Sequence, residues 1–266
     1  MTPKVLVGHD ASGLELRMMA HFINDPEYTK VIIDKPHVYH QKLLSLDTVD
    51  AAKAFIYKFN YGAGGLLIGM SVYSAGELVG KYTQKQITQA LRTLQRRAND
   101  SGMIGIGKGT FVPATREMAT FMLAGDDLKI TFLENNPGLK DLIERVQEAA
   151  KRGYLLGLDG RRIFMRRDFT GKVQIHKALN TLMQGAGSIV MKHSIVILDD
   201  LIRSEGLSSK KVYDMHDEAG FECLPEEADR HAELAVQSIV QAGELLNLNC
   251  PLDAEAQIGK SWKDVH

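Results

Sequence analysis

Apolar residues recur along this chain at two spacings, and the switch between them predicts its elements. Val5-Leu6-Val7 is a branched apolar run of the kind that forms a buried strand, with Asp10 where that strand opens toward solvent. Past Gly13, the apolar positions of Leu14 to Ile23 follow helical spacing and set Glu15 in a first turn above the strand end. Asp50 to Tyr61 contains neither Gly nor Pro and predicts a second helix, ended by Gly62-Ala63-Gly64-Gly65. Helical periodicity returns in Leu139 to Ala150, introduced by Pro137, and in Glu227 to Leu246. Lys211 to Glu222 instead predicts a β-hairpin, with His216-Asp217-Glu218 at its turn. Helices dominate and the strands are short and antiparallel, so the fold class is α+β.

Composition narrows the classes. With 266 residues and 44% hydrophobic content the chain can bury a core, as one or two domains. It has no signal peptide and no apolar run long enough to span a bilayer, which predicts a soluble cytoplasmic protein with no membrane partner. Cys223 and Cys250 follow no metal spacing, so unpaired thiols in a reducing compartment are expected and zinc is not. The net charge of −1 is awkward for a nucleic-acid partner. Local neutralisation is what counts, however, and Arg161, Arg162, Arg166, Arg167 and Lys172 crowd into a dozen residues.

Three stretches carry the candidate chemistry. Asp10 and Asp217 are carboxylates placed to hold divalent metal, and two Mg²⁺ ions about 3.5–4 Å apart would support an in-line displacement at phosphorus. Lys53, Tyr57 and Tyr61, spaced i, i+4, i+8, form a stripe about 12 Å long, with a cation suited to phosphate and rings suited to a base or sugar. Taken singly, each stretch is more often a capping Asp, a solvated helix face or a polar turn. Their conjunction in this order points to nucleotidyl transfer.

These motifs resemble those of family A DNA polymerases, most closely the phage replicative branch. The resemblance rests on Asp10-Ala11-Ser12-Gly13-Leu14-Glu15-Leu16-Arg17 and Tyr61-Gly62-Ala63-Gly64, and continues at Gly157-Leu158-Asp159-Gly160-Arg161, Ala178 to Gly187 and Trp262 to His266. It implies a palm of antiparallel sheet and helices plus helical fingers. The expected layout is palm at residues 1–24, fingers at 25–155 with an insertion at about 83–126, and palm again at 156–266. Asp10 and Asp217 match the metal-binding catalytic aspartates, serving two Mg²⁺ with Mn²⁺ as a substitute. Glu15 matches the residue that excludes a ribose 2′-hydroxyl. His37 and Lys53 match ligands of the incoming dNTP's phosphates, Tyr57 the residue beside its sugar, and Tyr61 the ring at the template base. Asn180 and Gln184 match readers of the primer-end minor groove, His216 a contact to the primer terminus, and Arg161 falls in the basic cluster read as a primer-template contact.

The chain departs from the family at two places. Where members usually carry Arg, four residues before the helix Lys, this chain has Val49. The inserted segment holds Gly102-Met103-Ile104-Gly105-Ile106-Gly107-Lys108-Gly109, which lacks the Gly-Lys-Ser/Thr ending of a phosphate loop and is expected to be a flexible loop. Thumb and exonuclease sequences, which members place before the first aspartate motif, would lie upstream of a Met1 only nine residues from Asp10. The expectation is therefore a split or truncated polymerase working with a second polypeptide in an infected bacterial host, its first strand an open edge at Val5, Leu6 and Val7. The alternative is a catalytically weak DNA-binding subunit of a replication complex. A two-metal nuclease would leave the Lys53 stripe unexplained, and an RNA polymerase is disfavoured by Glu15.

Overall fold

The computed structural model describes residues 4–107 and 109–266; Met1 and Lys108, both used above, lie outside the described residues. In chain order the elements are β1 (Val5–Ala11), α1 (Leu14–Ile23), α2 (Pro26–Asp34), α3 (Pro36–Leu43), α4 (Val49–Asn60) and α5 (Gly65–Val72). Then follow α6 (Gln84–Arg97), β2 (Met103–Gly107), β3 (Thr110–Pro113), α7 (Arg116–Glu134), α8 (Pro137–Ala150), β4 (Tyr154–Leu156) and β5 (Arg162–Phe164). The chain closes with α9 (Ala178–Glu205), β6 (Lys210–Met215), β7 (Glu218–Cys223), α10 (Ala228–Leu245) and β8 (Ala254–Gly259). It is an α+β protein whose strand pairs are all antiparallel.

Two compact units divide the backbone. One comprises the chain up to Asp34 with Arg145–His266, the other Lys35–Glu144. Residues 25–34 and 145–155, grouped with the helical middle in the sequence reading, fall in the first unit.

The first unit is built on a four-stranded sheet in the order β6-β7-β1-β8. One face of it, through Val7, Ala219 and Phe221, packs on Leu198 and Ile202 of α9 and Leu234 and Ala235 of α10. Strand β1 is therefore interior, pairing β7 through Val7↔Phe221 on one side and β8 through Val7↔Ile258 on the other. This corrects the expected open edge at Val5–Val7. The neighbour that closes it, β8, lies some 245 residues downstream, and no local pattern announces that pairing.

Helix α4 organises the second unit. Thr48 caps it by accepting a hydrogen bond from the Ala51 N–H, and Ala52, Phe55, Ile56 and Phe59 form its buried face. Phe55 and Phe59 meet the edge of Phe132 from α7, at ring centroid distances of 5.3 and 4.9 Å. Helices α5 and α7 approach so closely that a Cβ on Gly125 would stand 1.9 Å from the Gly65 carbonyl oxygen, so glycine is required there. The glycine-rich stretch expected to be a loop instead forms β2, paired with β3, with Ile104 turned into the core. Alternation of Ile104 and Ile106 with glycines is a strand signal that glycine content obscured.

Candidate active site

Strand alternation sorts His9 from Asp10. His9 points into the core, its ring 5.9 Å from Phe221, which in turn lies 4.7 Å from the ring of buried His231. Burial pushes both imidazoles down to about 4, so both are neutral at physiological pH. Asp10 points the other way and is exposed. It stands opposite Glu218 of β7 and Glu255 of β8, while the Ala11 N–H donates to the Asp217 carbonyl oxygen at 3.1 Å. Asp217 is exposed at the β6–β7 turn, where His216 adopts a left-handed backbone with φ 59°. Partial burial, and then the negative charges of Asp217, Glu218 and Glu255, raise the Asp10 carboxyl to about 6. The site thus holds more negative charge than it can comfortably ionise, which is a donor set that suits a divalent cation. Among the described residues no group of three or more His, Cys, Asp or Glu is arranged to hold a metal, so a cation there would rest on few protein ligands.

Glu218 is not the second half of an exposed acidic turn, as the sequence suggests. It begins β7, is buried, accepts a hydrogen bond from the Tyr213 hydroxyl and lies 2.6 Å from His266 Nδ1. Burial alone would raise its carboxyl, but the bonds from Tyr213 and His266 outweigh burial and hold it below the usual range. The Tyr213 ring crosses the backbone of Gly220, where a Cβ would fall 2.0 Å from the ring. His266 is stacked on Trp262 at 4.4 Å between centroids. Sequence reasoning quoted Glu218 and the terminal Trp262–His266 stretch but gave neither a role in the site. The missing signal was the long-range side-chain contact between Glu218 and His266, 48 residues apart.

The first unit also carries Glu15, Asn180, Gln184 and Arg161. Gly13, at φ 60°, turns the chain from β1 into α1, leaving Glu15 half-buried in the first helical turn. Arg17, two residues on, is 8% exposed, donates to the Ser12 and Pro251 carbonyl oxygens and lies 3.9 Å from Asp253, tying the Ser12 turn to the loop before β8. Asn180 and Gln184 sit one turn apart on α9. Asn180 Nδ2 is buried with no hydrogen-bond partner among the described residues. Arg161, in the β4–β5 turn, is bound by Asp159, with Nε 2.7 Å from Oδ2.

The second unit carries the remaining four. His37, in the first turn of α3, has its ring 6.2 Å from that of Tyr57, and burial followed by the nearby Lys53 charge lowers its pKa. Lys53, Tyr57 and Tyr61 occupy the exposed face of α4, with Tyr57 51% and Tyr61 56% exposed. Lys53 Nζ lies 3.8 Å from Asp50. Val49 opens the helix one turn before Lys53. Within this unit the structure gathers His37, Lys53 and Tyr57, with Tyr61 at the helix end.

A family model for DNA polymerase family A matches residues 73–264 of the chain. The chain belongs to DNA polymerase family A. It is 35% identical over 99% of its length to a DNA-directed DNA polymerase of Escherichia phage Phieco32, and 30% identical over 99% to that of Escherichia phage T7. It covers 40% of the first relative and 34% of the second, and so spans about a third to two fifths of these polymerases. The fold is shared with a solved structure described as the POL domain of Pol1 from M. smegmatis in complex with DNA primer-template and dNTP. That match has a TM-score of 0.67 and 20% identity, covering 98% of this chain and 40% of the other. The family A model begins after Asp10 and the Lys53 stripe, but the phage polymerases align across both.

Proposed function

We propose that this chain performs template-directed DNA synthesis by two-metal deoxynucleotidyl transfer, as part of a family A polymerase. The observation that carries the reading is the convergence of Asp10 and Asp217 where β1 meets the β6–β7 turn, with the Asp10 carboxyl raised by the acids around it. Asp10 and Asp217 would hold the Mg²⁺ ions, with Mn²⁺ as a substitute. When bound, such ions lower the pKa of an attacking hydroxyl and offset charge on the transferring phosphate. Glu218, fixed by Tyr213 and His266, keeps a negative charge behind the pair and restrains the turn that carries Asp217.

The remaining roles follow the chemistry of each side chain. Lys53 and His37 receive the triphosphate, Tyr57 lies beside the sugar and Tyr61 beside the template base. Glu15 fills the space a 2′-hydroxyl would need, which selects deoxynucleotides. Asn180 and Gln184, one turn apart on α9, read the minor-groove acceptors common to correct pairs. His216 and Arg161 hold the primer end and duplex backbone. In this reading residues 1–24 and 156–266 act as palm and 25–155 as fingers. A separate polypeptide carrying thumb and exonuclease would complete the assembly.

The test is primer extension with Mg²⁺, comparing dNTPs with NTPs, for the chain alone and with a polypeptide supplying the thumb and exonuclease portion of a phage relative. Template-dependent extension with dNTPs and not NTPs is expected. Primer-template binding without extension under either condition would favour a DNA-binding subunit instead.

A further inference from the structure

The chain has nearly balanced charge, with 32 Lys and Arg against 33 Asp and Glu, yet one segment is strongly basic. Between Glu77 and Glu117 lie Lys81, Lys85, Arg92, Arg96, Arg97, Lys108 and Arg116, against a single acid, Asp100. The described part of this segment is built as a small module rather than a loop. Helix α6 starts in a capping box, where Thr83 and Gln86 satisfy each other's backbone N–H groups. Its Ala90 and Leu94 are buried in the same core as Ile104 and Val112 of the β2–β3 hairpin, with Ile87, Leu91 and Ala98 packed alongside.

That packing fixes which way the cations point. Lys85, Arg92 and Arg96 follow one another at i, i+7, i+11, forming a stripe about 16 Å long on the face away from the core. All are exposed, as is Arg97, and none forms an ion pair with a described residue. Asp126 lies close enough to Arg97 to feel its charge. A surface helix with four cations and no acid repels itself, and a polyanion would relieve that repulsion.

A second feature points to the kind of polyanion. Phe111, on β3, is 53% exposed and lies across the hairpin from Gly105, where a Cβ would stand 3.5 Å from its ring. An aromatic ring spread over a glycine on a solvated sheet face is a platform for an unstacked base, and a duplex offers none.

We propose that α6 and the β2–β3 hairpin form a binding surface for single-stranded nucleic acid, with Lys85, Arg92 and Arg96 on the phosphates and Phe111 against a base. The proposal deepens the polymerase reading, in which the strand is unpaired template. The binding itself needs neither metal nor nucleotide, so it is tested apart from catalysis.

Fluorescence anisotropy in EDTA, with labelled oligo-dT and a duplex of equal length as probes, compares the protein with Lys85→Gln/Arg92→Gln/Arg96→Gln and with Phe111→Ala. Removing three phosphate contacts to a single strand should flatten the plot of log affinity against log salt by about 2, at ~0.7 per contact. Phe111→Ala should weaken oligo-dT binding at least about fivefold, the low end for a stacked base, and leave duplex binding unchanged. Matching circular dichroism and Tm would verify that both variants fold. An unchanged salt slope in the triple variant would overturn the surface. Equal losses for duplex and single strand would overturn its assignment to unpaired nucleic acid.

Discussion

Replacing Asp10 by Asn should make the metal-free protein more stable near neutral pH, although it removes a proposed catalytic residue. The Asp10 carboxyl is raised from 3.8 to about 6 by burial and by Asp217, Glu218 and Glu255. At ~1.4 kcal/mol per unit the two units would be worth about 3 kcal/mol, and because Asp10 is exposed, solvent screening leaves roughly 1 kcal/mol. A carboxyl whose folded pKa lies above its unfolded value binds its proton more tightly when folded. Its penalty is therefore absent below about pH 4, grows as pH rises and is complete above about pH 6. Thermal unfolding in EDTA should show Asp10→Asn melting about 2–4 °C above the parent protein at about pH 7.5, with the gap closing by about pH 4. Adding Mg²⁺ should stabilise the parent and leave the variant nearly unchanged, because the cation relieves the repulsion that Asn has already removed. A variant that melts at or below the parent temperature in EDTA, or a gap that does not depend on pH, would refute the electrostatic argument.

Three further outcomes are expected. His266→Ala leaves buried Glu218 with one fewer partner, which should cost about 1–2 kcal/mol and lower Tm by about 2–8 °C at neutral pH. Because the Glu218 carboxyl is held below its usual range, the stability it contributes is lost as pH falls, and the variant should lose less on acidification, as melting curves across the acid range would show. Glu15→Ala should raise ribonucleotide incorporation relative to deoxynucleotide by about tenfold, equivalent to ~1.4 kcal/mol, and unchanged discrimination would place the sugar gate elsewhere. Val49→Arg adds a cation one turn before Lys53 and should lower the apparent dNTP requirement by up to about tenfold; no change would mean that another group already neutralises the phosphates.

Local periodicity made much of this molecule readable. The α4 stripe was visible because Ala52, Phe55, Ile56 and Phe59 claim one helix face and leave Lys53, Tyr57 and Tyr61 the other. The β6–β7 hairpin was equally plain from its short strands and polar turn. What stayed hidden depends on partners far away in sequence. The interior position of β1 needs β8, and the burial of Glu218 needs His266, 48 residues on. Arg17 read only as part of a motif, because nothing near it shows that its guanidinium reaches the Pro251 and Asp253 loop. The hairpin at Met103–Pro113 was masked by glycines that, in sequence, look like a loop.

The central claim is that the two exposed aspartates at the end of the sheet perform metal-dependent nucleotidyl transfer. It is tested most directly by Mg²⁺-dependent extension of a labelled primer in the active assembly, comparing the parent protein with Asp217→Asn, with primer-template affinity measured on the same samples. The account predicts that extension falls at least about a hundredfold, since a charge stabilising the transition state is removed, while primer-template binding is retained. Extension at near-parent rates by Asp217→Asn would contradict it.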